Sequence, residues 1–344
     1  MSGNVQSGYG LPAEWAPHGR TWMAWPARPA TWRSGDDGHG GIEAARAIHV
    51  EVAKAIAGFE PVTMVCSPGE MAEASLMCGP GIELVPIPLS DGWMRDIGPT
   101  FVTDGAGGLA GVDWIFNGWG GLHDEFAADA EVAAEVLRIR NYQRLAAPIV
   151  LEGGAFSGDG AGTLLVTEEC LLDPGRNPGK SKADLEQALA YYLGARAVIW
   201  LGRGYEGDET GGHVDEIACF ARPGTVMLQV TSDPEDPNYL TQHENLARLR
   251  LARDAGGNQL EVVEVPQPAR RERDGRRETL SYINFVFANG GLIMPSFGDP
   301  ADDAAYRIFS GLYPDRKIIQ LLADDLVIGG GGMHCITQQE PAVV

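Results

Sequence analysis

Apolar positions recur at helical spacing in four stretches, 42–59, 125–140, 182–193 and 238–253, and each predicts an amphipathic helix. Between them run short apolar segments closed by glycine, proline or aspartate, at 61–66, 83–87, 163–167, 197–201, 225–230, 280–287 and 317–322. These predict largely buried strands. Alternation of the two kinds of element along the whole length predicts an α/β architecture. No proline-rich linker or low-complexity run marks a boundary, so residues 1–344 read as one domain, with a loose polar tail over 1–10.

Composition narrows the setting. Apolar residues make up 44% of the chain, yet no run approaches the ~18 residues that span a bilayer, and the first ten residues lack the charged start and apolar core of a secretory signal. Five cysteines without a C-x-x-C pair fit neither a disulfide framework nor a zinc site and imply a reducing, cytoplasmic compartment. Lysine and arginine number 26 against 47 acidic residues, and the net charge of −21 repels nucleic acid and anionic membranes while favouring cationic ligands. The one basic run, RRERDGRR at 270–277, contains the turn signal Asp274-Gly275 and reads as a solvated hairpin tip.

Two glycine motifs lead nowhere. Residues 202–207 fit G-x-G-x-x-G after a predicted strand, but the acidic, flexible DETGG that follows is not the helix N-terminus a pyrophosphate needs. Gly179-Lys180-Ser181 lacks the glycine a phosphate loop requires five positions earlier, where Pro174 stands. Ser181 is better read as a helix N-cap with Asp184 in the first turn.

The chemistry concentrates near the end of the chain. Four glycines at 329–332 precede Met333-His334-Cys335, and a cysteine behind such a run can present a thiolate beside backbone N–H groups. His334 is a poor proton partner for it, because neighbours in an extended segment point to opposite faces. His213 and Asp215, in Gly212-His213-Val214-Asp215-Glu216, would share one face of a strand with Val214 turned to the core. Asp96 stands among bulky groups before a glycine-proline turn, and Glu152 ends an apolar run. A cysteine, a histidine and three carboxylates suit attack on the carbon of a planar cation, since carboxylates bind guanidinium through paired charge-assisted hydrogen bonds.

These residues lie in an ordered series of segments: LPAEWAPHGRTWMAWPARP at 11–29, WMRDIGPTFV at 93–102, GVDWIFNGWGG at 111–121, LEGG at 151–154, RNP at 176–178, GHVDE at 212–216, YINF at 282–285 and GGGGMHCITQQEP at 329–341. In them the chain resembles the agmatine deiminases, bacterial-type peptidyl-arginine deiminase relatives within the guanidine-modifying superfamily. The resemblance implies a pentein-type α/β propeller with five-fold pseudosymmetry of ββαβ units, and deimination of a small guanidinium substrate without metal or cofactor. It implies Cys335 as nucleophile, His213 as acid and base, Asp96, Glu152 and Asp215 as guanidinium-binding or supporting acids, and Trp93 as pocket wall. A homo-oligomer of two or more subunits is also implied. Departures from the family pattern are Gly118 in place of alanine, Gly211 in place of asparagine and Glu216 in place of asparagine.

Overall fold

A computed structural model describes residues 7–33 and 39–343. Thr163–Thr167 and Thr225–Val230, apolar almost throughout, become the middle strands of two sheets, since a strand covered on both faces calls for such a run. Each has the same surroundings. A short hairpin partner lies antiparallel on one side, and a strand reached through a helix lies parallel on the other. A parallel neighbour cannot be reached by a tight turn, and the helix is the crossover that makes the pairing possible.

This ββαβ pattern occurs five times. Thr100–Thr103, Leu109–Ile115, helix Val132–Arg140 and Gln143–Val150 form one unit. Phe156–Gly158, Thr163–Thr167, helix Lys182–Leu193 and Ala197–Leu201 form the next. Ala218–Arg222, Thr225–Val230, helix Asn238–Leu251 and Glu261–Pro266 follow. Then come Val286–Ala288, Gly291–Ser296, helix Asp302–Leu312 and Lys317–Leu322. The fifth unit is assembled from both ends of the chain: Thr337–Pro341 pairs antiparallel with His18–Ala24, and helix Ile42–Ala57 leads to the parallel strand Val62–Cys66. A further parallel strand, Ile82–Pro86, extends that sheet. The α/β architecture and the five units expected from the resemblance are both present.

Local signals behave as their chemistry demands. Ser181 caps helix Lys182–Leu193 in a reciprocal capping box with Asp184, and Gly194 ends it in the left-handed conformation at φ 68°. The basic run folds as the hairpin Glu272–Arg273 with Arg276–Arg277, turning at Asp274 and Gly275 with positive φ, and its arginines pair with Glu278, Glu209 and Asp236.

Other expectations are corrected. The helix expected from residue 125 begins at Val132, because the buried Asp129 carboxylate takes the backbone N–H groups of Ser90 and Asp91 and ties its segment to another part of the fold. Of 280–287 only the end pairs as Val286–Ala288; ahead of it, Gln229 and the Ser281 hydroxyl satisfy the backbone in place of a ladder. Lys317–Leu322 is an edge strand and half exposed rather than buried. The tail expected to be loose is tied down from Ser7, whose N–H donates to Tyr191, and Gly10 bridges to Thr103; residues 1–6 lie outside the described part.

Candidate active site

The site residues are delivered by one repeated device. Glu216, Asn284 and Cys335 each end a tight turn and are separated from the first strand of a unit by a single buried apolar residue: Ile217, Phe285 and Ile336. Asp96 and Glu152 stand slightly further ahead of the corresponding strands Thr100–Thr103 and Phe156–Gly158. Each apolar anchor packs into the core, and the polar side chain next to it is left facing the place where the five units meet.

His213 and Asp215 do not lie in a strand. Gly211 and Gly212 take φ of 79° and 94°, the Asp208 carboxylate accepts from the backbone N–H of Gly212 and His213, and Val214–Glu216 forms a 3-10 turn. The two side chains still converge: His213 Nδ1 lies 4.0 Å from Asp215 Oδ1 and 3.9 Å from Asp96 Oδ2, and Nε2 lies 3.5 Å from Glu152 Oε2. The ring is 1% exposed. Burial alone would favour neutral imidazole, but the Asp96 carboxylate, with Cys170 and Glu152, outweighs it and raises the pKa well above the ordinary value. The neighbouring carboxylates therefore favour the charged ring over the neutral one.

The acids divide by partner. Asp96 accepts from Trp119 Nε1 at 2.9 Å and from the Gly154 N–H at 3.0 Å, while its neighbour Arg95 turns away to the His334 carbonyl and Glu14. Burial raises the Asp96 pKa despite His213. Glu152, fully buried, is gripped by Arg176 Nε at 3.0 Å to each oxygen; burial would raise its pKa, but Arg176 and His213 bring it below the usual carboxylate range. Asp215 Oδ2 is 2.7 Å from His334 Nδ1, whose other nitrogen reaches Glu14, so His334 serves the carboxylates and makes no contact with the thiol.

Cys335 Sγ receives Asn284 Nδ2 at 3.2 Å and lies 3.5 Å from Glu216 Oε1 and 3.6 Å from Asp215 Oδ2. Burial, then Asp215, Glu216 and Asp96, push the thiol pKa well up against the opposing Gly332 N–H. These surroundings favour the thiol over the thiolate. The glycine run serves packing: a Cβ at Gly331 would come within 2.8 Å of Trp93, and one at Gly332 within 2.4 Å of the Asn284 oxygen.

A cavity of about 360 Å³ opens onto Cys335, Asp96, Trp93 and Trp119, with Glu209 and Thr210 also in its lining. Trp93 stacks on Trp32 at 5.0 Å and forms a rigid wall. Trp119 holds a left-handed backbone, φ 57°, a conformation that costs about 1–2 kcal/mol for a non-glycine residue and that delivers its indole to Asp96. Gly118 beside it takes φ 70°, and a Cβ there would meet the His123 carbonyl at 2.4 Å, which accounts for glycine at this departure from the family pattern.

All six residues singled out from the sequence fall in this one cluster. Arg176, Asn284, Trp119 and Glu216 complete it. The first two stand in the RNP and YINF segments, which were the only signal for them. Glu152, Cys170 and His213 bring donor atoms within 4.8 Å of one another, as do Asp215, Glu216 and Cys335. Within these sets the Asn284 amide bridges Cys335 and Glu216, and Arg176 holds Glu152.

The close packing yields one expectation. A Cβ on Gly154 would fall 2.5 Å from His213 Nδ1 and 2.9 Å from Asp215 Oδ2. Gly154→Ala should displace the imidazolium and lower kcat on the order of 10²-fold, since errors near 1 Å in catalytic placement carry that cost. Steady-state kinetics beside a thermal melt checks this, and wild-type kcat would exclude it.

Proteins of known sequence and structure resemble the chain over almost its whole length. The profile of the Porphyromonas-type peptidyl-arginine deiminase family matches residues 10–341. The agmatine deiminase of Stutzerimonas stutzeri is 44% identical, covering 98% of this chain and 96% of its own, and that of Pseudomonas putida is 43% identical with the same coverage. A solved structure described as agmatine deiminase of Enterococcus faecalis catalyzing its reaction superposes with a TM-score of 0.94 at 37% identity, over 100% of this chain and 99% of that one. The chain belongs to the Porphyromonas-type peptidyl-arginine deiminase family.

Proposed function

We propose that the chain hydrolyses the guanidinium of agmatine to N-carbamoylputrescine and ammonia through a thiouronium on Cys335. One observation carries the reading: Cys335 and Asp96 line a single acidic cavity, and His213, whose charged form the neighbouring carboxylates favour, stands against Asp96 and Asp215. Asp96 and Asp215 bind the planar cation, and Trp93 borders it. Glu152, occupied by Arg176 and His213, positions the acid rather than the substrate. The sulfur attacks the guanidinium carbon, His213 gives its proton to the departing ammonia, and the same ring then draws a proton from the water that attacks the thiouronium.

Agmatine is preferred to arginine because of charge. Glu209 lines the same cavity and suits an ammonium at the far end of the substrate. The neighbouring cavity of about 520 Å³ shares Glu209 and Gly330, and its Arg276 is paired to Glu209 at 2.6 Å. An α-carboxylate would enter an acidic cavity where the guanidiniums of Arg176 and Arg276 are already engaged by Glu152 and Glu209, and a cost of ~3 kcal/mol corresponds to roughly 100-fold in kcat/KM. Ammonia release from agmatine, arginine and arginine methyl ester tests this. Agmatine should lead arginine by about that factor, with the ester recovering part of the loss. Equal use of agmatine and arginine would overturn the preference and point to Arg276 as the carboxylate's partner. Good use of peptide-bound arginine with poor use of agmatine would replace the substrate class.

No helix among the described residues is long and apolar enough to cross a membrane. A cytoplasmic homo-oligomer of two or more copies, with neither nucleic acid nor cofactor, completes the reading; it is supported by the family likeness and the acidic charge of −21.

A further inference from the structure

Two acids flank the sulfur, and they are not equivalent. Asp215 spends its near oxygen on His334 at 2.7 Å, and His334 is itself anchored on Glu14. Glu216 forms no ion pair among the described residues. Its Oε1 accepts from Asn284 Nδ2 at 2.9 Å and lies 3.5 Å from Sγ, and its Oε2, buried in a residue only 2% exposed, has no hydrogen-bond partner. The Asn284 amide donates to both Glu216 and the sulfur and so fixes their separation.

We propose that Glu216 is a catalytic residue that takes the thiol proton of Cys335 when the substrate cation binds and returns it when the sulfur leaves. This rests on Cys335 being the nucleophile. The S–H bond breaks and an O–H bond forms on Glu216, the electron pair left on sulfur attacks the guanidinium carbon, and His213 protonates the departing amine. Water then gives one proton to His213 and its hydroxyl to the carbon. As the C–S bond breaks, the electron pair returns to sulfur and is protonated by Glu216. The hydroxyl proton goes to solvent and is taken up by ammonia as ammonium. Atoms and charges balance with water as the only co-reactant.

Proton affinities support the pairing. Burial, with the Asp215 and Asp208 anions, raises the Glu216 pKa well above the usual carboxylate range, against opposing contributions from Cys335 and His213; the Tyr205 phenol, buried nearby, is the remaining titratable group that feels it. Burial with Asp215, Glu216 and Asp96 keeps the thiol protonated. A guanidinium beside both groups favours anionic sulfur, so a carboxylate of raised basicity is matched to the transfer.

The test is alkylation of Cys335 by chloroacetamidine, a small amidinium, followed by the mass of the Cys335 peptide across pH in the wild type, Glu216→Gln and Glu216→Asp. In the wild type the rate should rise with pH as Glu216 ionises, above the ordinary carboxylate range. Glu216→Gln should lose that limb and react on the order of 10²-fold more slowly near neutral pH, the usual worth of a general base. Glu216→Asp should keep the limb at reduced rate. Were Glu216 merely a nearby anion, removing its charge would ease ionisation of the thiol and Glu216→Gln would react faster, which would overturn the proposal, as would unchanged pH dependence. Failure of the wild type to label at Cys335 would instead remove the nucleophile assignment. Thermal melts identify a variant that fails to fold, and Glu216→Asp then decides: loss of its limb counts against the proposal.

Discussion

Cys335→Ala is expected to reduce ammonia release from agmatine by on the order of 10⁴-fold or more, the usual cost of losing a covalent nucleophile, while thermal unfolding stays close to wild type. The reason for folding intact is local. The sulfur's neighbours are Asn284, Glu216 and Asp215, and Asn284 remains bonded to Glu216 and to the His334 N–H without it. The rival thiol is Cys170, whose sulfur lies within 4.8 Å of His213 and Glu152 donor atoms and whose pKa is raised by burial. Cys170 is fully buried and lies outside the lining of the substrate cavity, which favours Cys335. Activity above a hundredth of wild type in Cys335→Ala, measured in single-turnover and steady-state assays, would transfer the nucleophile role to Cys170.

His213→Ala is expected to cause a loss of similar order, because the same ring donates to ammonia and then accepts from water. If the first transfer can be met by solvent and the second cannot, mass spectrometry should find an adduct of substrate on Cys335. Normal turnover would refute the assignment. Since the charged ring is the competent acid, the alkaline loss of activity should come as pH rises through the elevated His213 value. The sign for stability is the same. A histidine whose pKa is raised by folding contributes stability fully present below its ordinary value near 6.5 and lost as pH rises through the folded one. His213→Ala should flatten that part of the stability curve in chemical unfolding.

How much of this was legible in the sequence depends on what carried the signal. Lys182–Leu193 announces itself through Ser181, Asp184 and Gly194, and Thr163–Thr167 through an unbroken apolar run, so both bounds are readable without tertiary knowledge. Phe156–Gly158 is too short to show a period, and Gln143–Val150 opens on the polar Gln143 and Arg144 and holds Pro148; such strands exist because a neighbour pairs with them. The strand expected at His213-Val214-Asp215 was a false inference from spacing, since the positive φ of Gly211 and Gly212 breaks the strand before it starts. Cys335, His213 and Asp215 were legible by chemical type. Asn284 and Arg176 were not, because their roles lie in contacts with Cys335, 51 positions away, and Glu152, 24 positions away, and nothing in a short window encodes such a meeting.

The pairing of Thr337–Pro341 with His18–Ala24 also orders events during synthesis. The acid, the carboxylates and four complete units all precede Cys335 in the chain, so they are synthesised before it. Until Thr337–Pro341 is made, the sheet is open along the edge of His18–Ala24. The step that closes the sheet also brings the thiol to its partners, so a chain stalled upstream of Cys335 is left both inactive and with an unpaired strand edge that quality control can recognise.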